Sequence, residues 1–111
     1  MVTDNAMPDA TVARTWSGRV PDHHADGFSR HLMATGVADA RVLPGYLGAT
    51  VTASSEDAVT TFTLTTFWQS PSAMRTFGSS DEAVLYPGDE AFELVPDREV
   101  VVSDLVLLDR P

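Results

Sequence analysis

The chain has no cysteine, which excludes disulfides, thiolate metal centres, iron–sulfur clusters and a cysteine nucleophile. It has no lysine either. Its seven basic residues are all arginine, set against sixteen acids, for a formal net charge of −9. Such a surface lacks the basic face that phosphates require, so neither a nucleic acid nor an anionic membrane is expected as a partner. The acidic surplus reads as a solubilising surface. Long apolar runs are missing, and nothing approaches the length of a membrane span. Residues 1–10, MVTDNAMPDA, have neither the basic start nor the apolar run of a secretory signal, so a cytoplasmic location is expected. A dinucleotide-type glycine loop and a G-x-S-x-G elbow are also absent.

What is present suits a folded domain: 43% hydrophobic and 21% charged residues in 111 positions, the length of one domain. Residues 1–10 read as a flexible N-terminal arm and 11–111 as a single domain. A domain of this size buries only about two-thirds of its unfolded surface, so pairing with a second copy would add apolar burial.

Thr11 to Val20 alternates as a strand with Val12, Arg14 and Trp16 on one face. Pro21-Asp22 ends it, with Asp22 as an N-cap for a helix whose inner stripe is Phe28, Leu32 and Thr35. Gly36 is a stop signal and Pro44-Gly45 a turn. Tyr46 to Ala53 reads as a second strand, Ser54 to Ala58 as a hairpin loop and Val59 to Trp68 as the strongest strand. In that strand Phe62, Leu64, Thr66 and Trp68 share one face, and Thr61, Thr63, Thr65 and Phe67 the other. Ser70-Pro71 opens a short helix with Met74 and Phe77 inward, stopped by Gly78. Helical turns are expected at Asp81 to Leu85 and Asp89 to Leu94, and a last strand over Glu99 to Leu108.

The order β-α-β-β-α-β gives an α+β fold of the ferredoxin-like, split β-α-β kind: an antiparallel sheet with helices on one face. The other face, with Thr15, Thr65 and Phe67, calls for cover by a second copy of the sheet.

Several segments together resemble a known family. They are Trp16 with Gly18, Thr35-Gly36, Pro44-Gly45-Tyr46-Leu47-Gly48, Phe67-Trp68-Gln69-Ser70, Ala73, Phe77-Gly78, and Tyr86-Pro87 with Asp89 and Phe92. Over about residues 12 to 108 the chain is similar to the antibiotic biosynthesis monooxygenase superfamily. The resemblance implies a homodimer whose two sheets form a dimeric α+β barrel, with a pocket between sheet and helices in each subunit. It also implies one of several activities: cofactor-free oxidation of anthrones or quinols, haem degradation, or cyclisation and isomerisation. The asparagine, tryptophan and histidine of the haem degraders fall here at Trp16, Phe77 and near Pro87, so haem is not expected. Of the Asn, Trp and Tyr of the anthrone oxygenases, whose places are Leu64, Trp68 and Met74, the tryptophan remains.

Four residues are candidates for chemistry. His24 and His31 lie on one side of the first helix with Phe28 and Thr35, and a histidine there would take a proton from an acidic carbon or phenol near neutral pH. The competing reading is a histidine that merely rims the core. Trp68 and Arg14 would stabilise an oxyanion, unless Trp68 is plain core and Arg14 reaches solvent along the sheet edge. Trp16, Phe28, Phe62, Leu64, Thr66, Met74, Phe77 and Tyr86 would line a pocket for a small hydrophobic molecule, polycyclic or polyketide-like. Asp104 is the acid of the last strand that could point inward. A metal needs three or more converging ligands; His24 and His31 lie two turns apart without an evident third, so neither metal nor cofactor is expected. Three readings stay open: a cofactor-free monooxygenase, a cyclase or isomerase using an apolar pocket, and a non-catalytic binding dimer.

Overall fold

A computed structural model describes residues 11–78 and 82–105; the proposed arm at 1–10 lies outside them. The elements run β1 (Val12–Pro21), a 3-10 turn (Asp22–His24), α1 (Ala25–Leu32), a π-helical turn (Met33–Val37), α2 (Ala38–Arg41), β2 (Tyr46–Glu56), β3 (Val59–Trp68), α3 (Pro71–Phe77), a second 3-10 turn (Asp89–Phe92), β4 (Val95–Pro96) and β5 (Val101–Asp104). The sheet is antiparallel. β3 lies between β2 and β1, and β4 and β5 both pair with the far side of β1. This is the expected α+β, ferredoxin-like order, with the closing strand broken in two. Among the described residues no helix is long and apolar enough to cross a membrane.

The alternation of β3 is kept to its end. Thr60, Phe62, Leu64, Thr66 and Trp68 are buried while the residues between them are half-buried. Their partners on β1 place Val12 opposite Trp68, Arg14 opposite Thr66, and Trp16 opposite Leu64. These side chains form one row under the helices, because alternate residues of paired strands share a face. The row holds two apolar clusters. One gathers Trp16, Val20, Phe28, Leu32, Val37, Phe62, Leu64 and Val100; the other Val12, Ala40, Trp68 and Met74. Arg14 lies between them.

On the opposite face, hydroxyls pair across the strands: Thr15 with Thr65 at 3.2 Å and Ser17 with Thr63 at 3.1 Å. That face is therefore more polar than the strand pattern suggested.

Five local expectations need correction. The first helix does not stop at Gly36; it passes through that residue in the π turn and continues to Arg41. A glycine costs a helix only about 1 kcal/mol, and here Gly36 is buried against the sheet side of the molecule. The Ser54–Ala58 loop shrinks to Asp57-Ala58, both at positive φ (55° and 65°). This is the tight turn whose twist suits a hairpin, and the polar residues before it belong to exposed strand. Asp22 caps no helix; its carboxylate accepts the hydroxyls of Ser55 and Thr60. Residues 82–86 form no helical turn, and Asp81 is outside the described residues, whereas the turn at Asp89–Phe92 is present. The final strand begins at Val101, and its expected residues beyond 105 are likewise outside. Ser70 accepts from the Ala73 N–H at 3.1 Å and caps α3 as the sequence predicts.

Candidate functional site

Between the sheet, the α1–α2 helix and residues 82–94 lies a slot. Arg14, Trp16 and Leu64 form its floor, Leu32 and Gly36 its helical wall, and Tyr86 and Asp89 part of its rim. Its free volume is only about 20 Å3, room for about one water molecule and far below the roughly 300–1,000 Å3 of small-molecule pockets, so its own side chains nearly fill it.

β1 delivers the two main groups of the floor. Arg14 and Trp16 are two residues apart, so both face the helices. Arg14 is only 3% exposed; it does not run out along the sheet edge. Its Nη2 donates to the Glu82 carbonyl at 2.7 Å, and its guanidinium lies 5.2 Å from the Phe77 ring centroid. Burial lowers its pKa, though not into a range where arginine would lose its proton.

Trp16 lies back along β1 over Gly18, where an added Cβ would come within 2.7 Å of the indole. The glycine is what allows the ring to lie flat. Trp16 is 6% exposed, and among the described residues its Nε1 is the buried side-chain nitrogen or oxygen without a hydrogen-bond partner. Such a donor costs about 1–3 kcal/mol.

The rim carries a histidine–carboxylate pair. His31 Nε2 donates to Asp89 Oδ1 at 2.7 Å, and Asp89 Oδ2 accepts the Tyr86 backbone N–H at 2.9 Å. Asp89 lines the slot and His31 stands behind it, packed on Phe28 and Phe92. Burial, and then the Asp39 carboxylate to which it donates, push the Tyr86 phenol well above the ordinary tyrosine range. It therefore remains a neutral donor.

Of the residues predicted from sequence, Arg14, Trp16, Phe28, Leu64, Phe77 and Tyr86 line the slot. Phe62 packs beneath Phe28. Trp68, Thr66 and Met74 lie at the other end of the sheet, where Trp68 Nε1 donates to Thr66 Oγ1 at 2.8 Å; that tryptophan has no donor to offer a ligand. His24 faces away and pairs with Glu93, and Asp104 is exposed. Sequence reasoning gave no role to Asp89, although its spacing in Tyr86-Pro87-Gly88-Asp89 is the sign of a side chain closing a turn onto the backbone three residues before it.

No protein-family model matches the sequence, and no curated protein sequence matches it. The fold is shared with the crystal structure of a Bacillus cereus protein named as a candidate antibiotic biosynthesis monooxygenase. The TM-score is 0.61 over 92% of this chain and 99% of that one, at 11% identity. At that identity the agreement is one of fold.

Proposed function

We propose that this chain is a divergent, cofactor-independent member of the antibiotic biosynthesis monooxygenase superfamily that binds a compact, enolisable or phenolic compound and promotes its deprotonation. The unpartnered N–H of Trp16, a residue that lines the slot together with the Arg14 charge, carries this reading, in which that N–H serves a ligand oxygen. A floor built from donors favours a ligand oxygen, and favours it more as negative charge develops there. The proton passes to Asp89, the carboxylate of the rim pair that reaches the slot, and His31 positions it. The electron pair moves onto the ligand oxygen held by Trp16 and Arg14. Return of the proton to another atom gives an isomerisation or cyclisation; capture of the enolate by oxygen gives the oxidation after which the superfamily is named. The slot must widen at its rim to admit even one ring, and a compact ligand of one or two rings asks less of that rim than an extended polycycle. The open sheet face, with its threonine rows and Phe67, is the surface through which two copies pair.

Gly36→Ala is the decisive variant. A Cβ at this position would lie 3.6 Å from Leu64 Cδ2 and 3.9 Å from Tyr86 Cε2, ordinary contact distances, so it fills slot volume without a clash. Stability should rise by up to about 1 kcal/mol. Binding of 1-naphthol and 1,4-naphthoquinol, followed by tryptophan fluorescence, should weaken at least tenfold, as it should in Trp16→Phe. Hydrogen exchange into the bound ligand and oxygen uptake then separate the redox-neutral outcome from the oxidative one, and neither would be seen in a purely binding protein. Saturable binding that Gly36→Ala leaves untouched would place the ligand elsewhere and overturn the proposal.

A further inference from the structure

Outside the slot, three metal-ligating side chains meet on the surface. His23 and His24 end the first 3-10 turn, and Glu93 follows the second. Their ligand atoms all lie within 4.8 Å of one another. His24 Nε2 is 3.0 Å and His23 Nε2 3.7 Å from the same oxygen, Glu93 Oε2. A tetrahedral zinc ion with bonds of about 2.0–2.1 Å separates its ligand atoms by about 3.3–3.4 Å, a value between the two observed distances.

The cluster is held from several sides. His24 packs edge-on against Phe92, with centroids 5.9 Å apart at 87°. The two imidazoles lie side by side, centroids 4.2 Å apart. Glu93 takes a left-handed backbone conformation, φ 57°, that ordinary residues avoid at a cost of about 1–2 kcal/mol.

We propose that His23, His24 and Glu93 form a divalent transition-metal site with an open fourth position. Two imidazoles and one carboxylate select zinc-like ions over calcium or magnesium, which prefer oxygen ligands. The ion fastens the start of α1 to the end of the Asp89–Phe92 turn. These are the segments that carry His31 and Asp89, so the ion acts as a clasp on that wall of the slot.

The test needs no slot ligand. Tag-free protein is titrated with Zn2+ by calorimetry and melted with and without the ion. One Zn2+ per chain should bind, and the melting temperature should rise with its concentration. Mg2+ and Ca2+ should do neither. His23→Ala and Glu93→Gln alter exposed side chains and should leave the circular dichroism spectrum intact while weakening Zn2+ binding at least tenfold. His31→Gln should leave Zn2+ binding unchanged. Absence of stoichiometric Zn2+ binding, affinity unchanged in both His23→Ala and Glu93→Gln, or affinity lost in His31→Gln would overturn the proposal.

Discussion

Trp16 and Trp68 sit on the same face of neighbouring strands, under the same layer of helices, and both are buried. Around Trp68, 0% exposed, every demand is met. Its ring stacks with Phe77 and meets Tyr46 edge-on, and its N–H reaches Thr66. Around Trp16 the packing leaves a narrow slot, and the N–H has no partner. Arg14 stands between the two ends, its carbonyl receiving the Thr66 hydroxyl at 3.4 Å and its side chain bounding the slot. One sheet thus carries a closed structural end and an open end that retains unspent hydrogen-bonding capacity. The contrast shows that burial alone does not distinguish a core tryptophan from a site tryptophan; the state of its N–H does.

The largest expected effect is at the closed end. Trp68→Ala should cost about 3–5 kcal/mol in urea unfolding, the usual range for a buried aromatic replaced by alanine. Trp16→Phe should cost about 1 kcal/mol or less, since it breaks no hydrogen bond and removes a buried orphan donor. A cost above about 2 kcal/mol for Trp16→Phe would mean that the two ends are energetically alike, and the comparison would fail.

Thr66→Val comes next. It leaves the Trp68 N–H without an acceptor and so makes the closed end resemble the open one. A loss of about 1–3 kcal/mol is expected by the same measurement, and Trp68→Phe introduced into Thr66→Val should cost less than it does alone, a coupling that a double-mutant cycle reads directly.

The smallest effect is confined to alkaline solution. The Tyr86 phenol is held protonated in the folded state, whereas in the unfolded chain it ionises near pH 10. Its contribution to stability is therefore fully present below about pH 10 and declines as the pH climbs above that value. In spectrophotometric titration the folded protein should show the phenolate absorbance of Tyr86→Phe, with extra absorbance appearing only on unfolding. A phenol that titrates normally in the folded protein would show the rim to be looser than its burial and its bond to Asp39 imply.

Much of the fold was legible because strands announce themselves locally. The two-residue alternation assigned Thr61 to Trp68 of β3 to their correct faces, and Ser70-Pro71 marked the start of α3. The errors came where the neighbourhood outweighed the local signal. Gly36 signals a stop, yet packing against the sheet carries the helix through it. Ser54 to Glu56 look like loop, yet pairing with β3 makes them strand. The site was half legible. Arg14 and Trp16 followed from the period of β1, but Trp68 shares their face and could not be told from them, since the difference lies in whether Thr66 reaches its N–H. Asp89 and Glu93 went unassigned because their histidine partners are 58 and 69 residues away. Nothing in a local pattern records such a distance.

The sequence by itself determined the order of the main strands and helices, the faces of the two central strands, the acidic surface and the exclusion of cysteine chemistry, all of which depend on neighbours a few residues apart. The tertiary structure decided which tryptophan is satisfied, which carboxylate meets His31 and which meets His23 and His24, and how far the helices stand off the sheet at the Trp16 end. Those outcomes depend on contacts between distant segments at separations of about 3 Å, where a hydrogen bond is either made or missed.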